Sequence, residues 1–379
     1  MKKFATSTVT VALFLMSSFL YAQDAAAYVK EGLKLKSERK SREAMEQFKK
    51  ALLVKPDHTE ALYEMGWCQN DLKDHTGALA SLRKVRNSWS QIAKVHFELG
   101  YAFLKTNQID SARASFGKCI AISPVYSGAY LHLGNIAYEN NENSAALFYF
   151  KKYEEYVKSP SEDYLYWYRK GFVQNALKLY DSAKITLLKS LQWKKNYTNT
   201  YLELGYAATR LKQADEAISY FNSAIQLDPK SHIPYNGIGE VYRDVKKDMD
   251  QAMNWYQKTL ALNENERKAN FGMGYCLNSK RLYTDAITYL RKAIASESTY
   301  TAAYVELGYS LYKTKNYTEA RSNLLKAIEI NPQNENAHYY LVTMYVEQKD
   351  KVSAQKWLNA LRALNSRHVA ELEPKVNAL

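Results

Sequence analysis

Seven histidines, three cysteines and scattered carboxylates are the groups in this chain that could do chemistry. His58, His75, His96, His132, His232, His338 and His368 are never spaced i, i+4, so no helix presents the histidine pair of a His-Glu-x-x-His zinc site. His96 and His338 stand where a helix wants a bulky packing residue, and they read as core filler. Cys68, Cys119 and Cys276 are odd in number, far apart and without Cys-x-x-Cys spacing. They are expected to be reduced thiols that pack as small hydrophobes. The sequence has no Gly-x-Ser-x-Gly elbow and no Walker-type phosphate loop, and Gly272-Met273-Gly274 falls mid-helix rather than after a strand. Asp248, Asp250 and Glu266 read as helix caps or solvated faces. The expectation is a chain that is not an enzyme and that binds no metal and no cofactor.

The elements that must carry any other function are set by glycine and alanine. In 379 residues there are only 14 Gly and 7 Pro, against average usage of about 7% and 5%. An all-β or loop-rich fold needs more turn formers, and 46% hydrophobic residues rule out disorder. Gly32, Gly66, Gly100, Gly134, Gly171, Gly205, Gly239, Gly274 and Gly308 recur at steps of 34 to 37. A second register of the same period runs from Ala44, Ala78 and Ala112 to Ala354. The implied windows are 25–58, 59–92, 93–126, 127–160, 164–197, 198–231, 232–266, 267–300, 301–334 and 335–368. Apolar residues follow helical periodicity twice in each window. In the window from Thr198, Tyr201, Leu204, Gly205 and Ala208 share one helix face, and Ala217, Phe221 and Ala224 line a second. Small residues at these places let two helices approach closely. Asp or Asn beside Ser near 110–111, 143–144 and 181–182 is expected to cap the second helix. Pro56, Pro124, Pro229 and Pro332 close four windows at one register.

This pattern resembles the tetratricopeptide repeat, a helix–turn–helix of 34 residues with Gly in its first helix, Ala in its second and a terminal Pro. The resemblance covers 25–368 and implies an all-α fold, a right-handed α-solenoid whose first helices line a concave, partner-binding groove. Repeats one to four occupy 25–160 and repeats five to ten 161–368. Three extra residues at 159–163 are expected to give either a change of curvature or a longer loop, and one extra residue between Gly239 and Ala252 a longer turn. The last repeat has Val342 and Leu361 where small residues are usual, and 369–379 reads as a frayed C-terminal tail broken by Pro374.

The groove is where function is expected. The resemblance assigns the fifth, ninth and twelfth places of each first helix to the concave face. Those places hold Tyr63, Phe97, Tyr168, Phe271 and Tyr339, then Trp67, Tyr101, Phe172, Tyr206, Tyr275 and Tyr309, then Tyr138 and Tyr312. That is 13 aromatics in 30 places, about three times the 13% of the whole chain. The rings either stack helix on helix or form a ligand surface, since tyrosine gives rigid contact area and a hydroxyl at low entropic cost. On the second reading, Tyr63/Trp67/Phe97/Tyr101 and Phe271/Tyr275/Tyr309/Tyr312 are the hot spots. Chaperone-binding members of the family clamp a terminal carboxylate with Lys and Asn. Here the fifth and ninth places offer Asn135, Asn236 and Glu240 without the lysine, so such a clamp is not expected.

Lys2 and Lys3, the apolar run Val9–Leu20 and Ala22 before Gln23 read as a cleaved secretory signal over 1–22. The expected location is therefore the bacterial periplasm or envelope, or outside the cell. The net charge of +13 is patchy rather than a continuous track, and with export it makes nucleic acid an unexpected partner. Asp110-Ser111-Ala112 and Asp181-Ser182-Ala183 match an O-glycan acceptor triplet, although capping explains both. The function expected is a scaffold binding envelope proteins or extended peptides; the alternative is an accessory that stacks glycans on the groove tyrosines. No transmembrane segment is expected after signal cleavage.

Overall fold

The computed structural model describes residues 25–159 and 161–379. The expected leader over 1–22 lies outside the described residues. Every regular element described is helical. The chain divides between Glu162 and Asp163, inside the insertion at 159–163, into two compact units.

The first unit holds four helix pairs: 25–37 with Ser41–Val54, Thr59–Asp71 with His75–Val85, Ala93–Lys105 with Ile109–Ile122, and Ser127–Glu139 with Asn143–Tyr156. The second holds six pairs, from Tyr164–Ala176 with Tyr180–Trp193 to Glu335–Glu347 with Lys351–Ala363, and then a terminal helix Val369–Asn377. Short loops make the two helices of a pair antiparallel neighbours. Each unit is an α-solenoid in which a pair packs within itself and against the next pair.

Repeat six shows why the sequence folds this way. Leu204, Gly205 and Ala208 of its first helix are buried against Ala217, Phe221 and Ala224 of its second. A Cβ on Gly205 would lie 2.6 Å from the Phe221 ring, so only glycine permits this approach. The turn between the helices closes with Lys212 in the left-handed region (φ 61°) and with Gln213 N–H donating to the Ala208 carbonyl at 2.9 Å. Every repeat uses Lys, Arg or Asn at this left-handed place, and no described glycine has positive φ. Glycine is scarce because it makes helix contacts and the turns do without it.

Three expectations are corrected. The Asp and Asn near 110, 143 and 181 do not cap: the cap positions are Gln108, Glu142 and Leu179, without a side-chain bond. The turn closes one or two residues earlier than supposed, so Asp110 and Asp181 act on the first helical turn as charges facing the dipole. Side-chain caps are made instead by residues such as Asp74, Asp248 and Asp350. The extra residue of repeat seven does not lengthen the turn. It enters the first helix as a π-helical segment, Val241–Lys246, and Asp248 N–H reaches back to the Tyr242 carbonyl, one residue further than in the other repeats. The C-terminus is not frayed: Val369–Asn377 is a helix with Leu372 and Val376 fully buried in the core of the last repeats. Pro374 is exposed, so it removes one hydrogen bond from a solvent face and leaves the apolar stripe intact.

The cysteines are free and buried, and burial pushes all three thiols up to about 12. His96 and His338 are buried as expected. No helix among the described residues is long and apolar enough to cross a membrane.

Candidate functional site

The thirteen stripe aromatics separate by burial. Tyr63, Tyr168 and Tyr312 are buried and do structural work: Tyr63 packs on Trp89 (5.6 Å), Tyr168 on Tyr197 (5.1 Å) and Tyr312 on Tyr317 (6.4 Å). Tyr339 reaches the terminal helix, where its hydroxyl bonds Glu371 at 3.2 Å and its ring meets His368 at 4.8 Å. Trp67, Phe97, Tyr101, Tyr138, Phe172, Phe271, Tyr275 and Tyr309 are half-buried, and Tyr206 is exposed. Both expected hot spots therefore come together only in part. In the first unit Trp67, Phe97 and Tyr101 share one pocket, while Tyr63 belongs to the core. In the second unit Phe271 and Tyr275 pair at 6.3 Å, Tyr309 lies against Tyr340 at 4.9 Å, and Tyr312 is packed away.

The pocket of the first unit is a cavity of about 290 Å³ between the first helices of repeats two and three. Rings from Trp67, Phe97, Tyr101 and His132 form its walls, and Asn70, Asp71, Lys73 and Glu98 supply its polar groups. Burial lowers His132 to about 4, so it lines the pocket as a neutral ring, stacked on Phe116 at 4.9 Å. Glu98 is only 8% exposed. Asn70 Nδ2 donates to the Glu98 carboxylate at 2.8 Å and to the Glu98 backbone carbonyl at 3.1 Å. Burial pushes the Glu98 carboxyl up to about 7, against the lowering effect of the Asn70 bond.

The same pair recurs twice in the second unit. Asn175 donates to the Glu203 carboxylate at 2.7 Å and Asn278 to that of Glu306 at 2.8 Å, each also bonding the partner's backbone oxygen. Burial raises both carboxyls. Each glutamate opens a Glu-Leu-Gly-Tyr run, at 98–101, 203–206 and 306–309. The tyrosine that ends each run meets a ring from the preceding repeat edge-on: Tyr101 with His75, Tyr206 with Tyr180 and Tyr309 with Tyr283, at 5.7, 6.0 and 5.8 Å. Sequence reasoning named the tyrosines but missed Glu98, Glu203, Glu306 and their asparagines. The signal was an Asn lying 28 residues before a Glu-Leu-Gly-Tyr, in every third repeat.

Arg243 was also missed. The π-helical segment carries it, and its guanidinium lies 5.7 Å from the Tyr275 ring and 5.8 Å from that of Phe271, with Asp244 held at 2.7 Å. Among the described residues no cluster of His, Cys, Asp and Glu could hold a metal ion.

Family models described as tetratricopeptide repeat match residues 29–92, 93–126, 198–231 and 311–373. Among curated proteins, the chain is similar to the Protein CTR9 homolog of Arabidopsis thaliana, at 22% identity over 52% of this chain and 19% of that protein. It is also similar to the uncharacterized protein ycf37 of Pyropia yezoensis, at 29% identity over 22% of this chain and 47% of that protein. The matches span less than half the length of each. Among solved structures, the Cut9–Hcn1 hetero-tetramer of the APC/C superposes with a TM-score of 0.55 at 14% identity, over 94% of this chain and 84% of that one. PilW, titled a widely conserved type IV pilus biogenesis factor, gives 0.50 at 16% identity, over 55% and 97%. At these identities the likeness is one of fold. The repeat register, the close contacts at its glycines and the matched models converge: the chain belongs to the tetratricopeptide repeat family.

Proposed function

We propose that this protein is a non-catalytic scaffold of the bacterial periplasm or envelope that binds partner proteins, or extended segments of them, along the aromatic face of its first helices. The family is typically an interaction fold and not a catalytic one, which supports the class of activity. The observation that carries the reading is that ten of the thirteen stripe aromatics keep accessible surface, and that three of them wall a cavity of about 290 Å³. Preformed rings on a rigid scaffold lower the ordering cost of binding. The export reading rests on the basic start, the apolar run and the small residue at Ala22.

The test is a pair of double variants, Trp67→Ala with Tyr101→Ala and Tyr275→Ala with Tyr309→Ala, compared with the parent by crosslinking in the cell envelope. The expected result is loss of a crosslinked protein partner while helical content is retained. Unchanged crosslinks together with a lost fold would show that the rings serve packing alone.

A further inference from the structure

Ten repeats share one backbone plan, and among the described residues the Asn–Glu pair is seen between repeats two and three, five and six, and eight and nine. One repeat earlier than the first of these, the same linkage is made differently. Lys36 stands at the place of Asn70, Asn175 and Asn278, and its Nζ lies 2.5 Å from the Glu64 carboxylate and 3.9 Å above the Trp67 ring. The chain thus contains its own version of a neutralised station: a cation between a carboxylate and an indole. At the other three stations asparagine replaces the lysine, and Glu98, Glu203 and Glu306 make no ion pair with any described residue. The asparagine N–H satisfies one lone pair without carrying charge, and the nearby cations Lys36 and Arg243 act on Glu98 and Glu306 only through space.

The surrounding groups fit a cation from outside. Glu98 shares its pocket with Asp71 and lies in the field of Glu64, so another carboxylate placed there would meet like charge. Lys36 is paired with Glu64, Lys73 is an exposed turn residue, and Lys105 lies over the Tyr101 ring at 5.4 Å. In the station of repeats five and six, the Asn175 Oδ1 is buried without a partner and can accept an N–H. In each station one aromatic stands three residues before the Asn and another three after the Glu: Trp67 and Tyr101, Phe172 and Tyr206, and Tyr275 and Tyr309, with Lys36 already over Trp67 at 3.9 Å and Arg243 5.7 Å from Tyr275. Aromatic faces over a desolvated carboxylate favour an ammonium or guanidinium.

Building on the scaffold reading, we propose that each Asn–Glu station, taken within its own unit, receives a lysine or arginine side chain of an extended partner segment, the cation seated beside aromatic rings and paired with Glu98, Glu203 or Glu306. The partner is therefore a polypeptide with recurring basic residues.

The test uses the full chain and a fluorescein-labelled, acetylated and amidated peptide of lysines spaced by Gly-Ser, read by anisotropy. Controls are the same peptide with its lysines N-acetylated, the same peptide with glutamate in place of lysine, and an N-acetylglucosamine oligosaccharide. The lysine peptide should bind saturably, and the acetylated one about tenfold or more weaker. The triple variant Glu98→Gln, Glu203→Gln, Glu306→Gln should lose the same factor, because glutamine keeps the asparagine bond and removes only the charge. If the triple variant does not fold, the three single variants are read in the same assay. Equal binding by the glutamine variants, or preference for the glutamate peptide or the oligosaccharide, overturns the proposal. If the aromatic double variants lose the envelope partner and the glutamine variants keep it, this inference fails and the scaffold stands. If both sets keep it, both readings fail.

Discussion

A carboxylate buried beside an amide instead of a cation carries a signature in its titration. Glu98 ionises near 4.5 in the unfolded chain and near 7 in the folded one, because burial outweighs the Asn70 bond. A raised folded pKa means that the neutral form favours folding. The stabilising effect is complete below pH 4.5 and is lost as pH rises to 7, on the order of 3 kcal/mol at one site. The charged groups that set this value are Lys36, Glu64 and Asp71 from the preceding helices. Glu98→Gln should therefore protect the helix Ala93–Lys105 against hydrogen exchange at pH 8 and change little at pH 5. An equal effect at both pH values would show that Glu98 does not change its charge state between them. Pairing of the lysine peptide with Glu98 should weaken as pH falls through 7, since only the anion pairs with it. At this scale the sequence was readable where one residue suffices: His96 and His338 sit in the core because their helical place demands it. Glu98 and Asn70 were not readable as a pair, because they stand 28 residues apart and meet only once two repeats stack.

The helix pair is held by positions whose tolerance the structure sorts cleanly. Gly205 faces the Phe221 ring, with a Cβ landing 2.6 Å away, whereas a Cβ on Gly117 meets nothing within 4 Å. Gly205→Ala should destabilise its repeat by about 1–3 kcal/mol through overpacking. Gly117→Ala, in the helix Ile109–Ile122, should stabilise by about 0.5–1 kcal/mol through helix propensity. The left-handed turn residue Lys212 gives a third case, since Lys212→Gly removes strain from a non-glycine at φ 61° and should gain about 1 kcal/mol. Thermal melts of the three variants check these signs; a stabilising Gly205→Ala would mean that Phe221 moves freely. The glycine register was legible because close approach of two helices admits few residue types. The caps and the π-helical segment were not, since a residue added to a period looks the same in sequence whether it lengthens a loop or bulges a helix. What the bulge changes is which residue reaches the groove, and here that residue is Arg243.

In a solenoid each repeat leans on its neighbours, so the whole molecule is vulnerable first where stacking stops. The terminal helix Val369–Asn377 lies outside the repeat period and contains Pro374, which is why the sequence alone made it a frayed end. Period and propensity do not report that Leu372 and Val376 bury completely, in the same core cluster as Val342, Leu358 and Leu361. The large residues that replace small ones in the last repeat fit this arrangement, because they offer the terminal helix an apolar surface to cover. Leu372→Asp with Val376→Asp should therefore peel the helix away and expose that surface, at about 2–4 kcal/mol for the two buried side chains. Because coupling runs between nearest neighbours, faster hydrogen exchange should be confined at first to Glu335–Glu347 and Lys351–Ala363, with Ala93–Lys105 in the first unit unchanged. Exchange that rises together in both units would mean that the chain unfolds as one cooperative body and that the one-dimensional picture does not hold. Exchange that rises in neither would mean that the terminal helix covers the core without contributing to its stability.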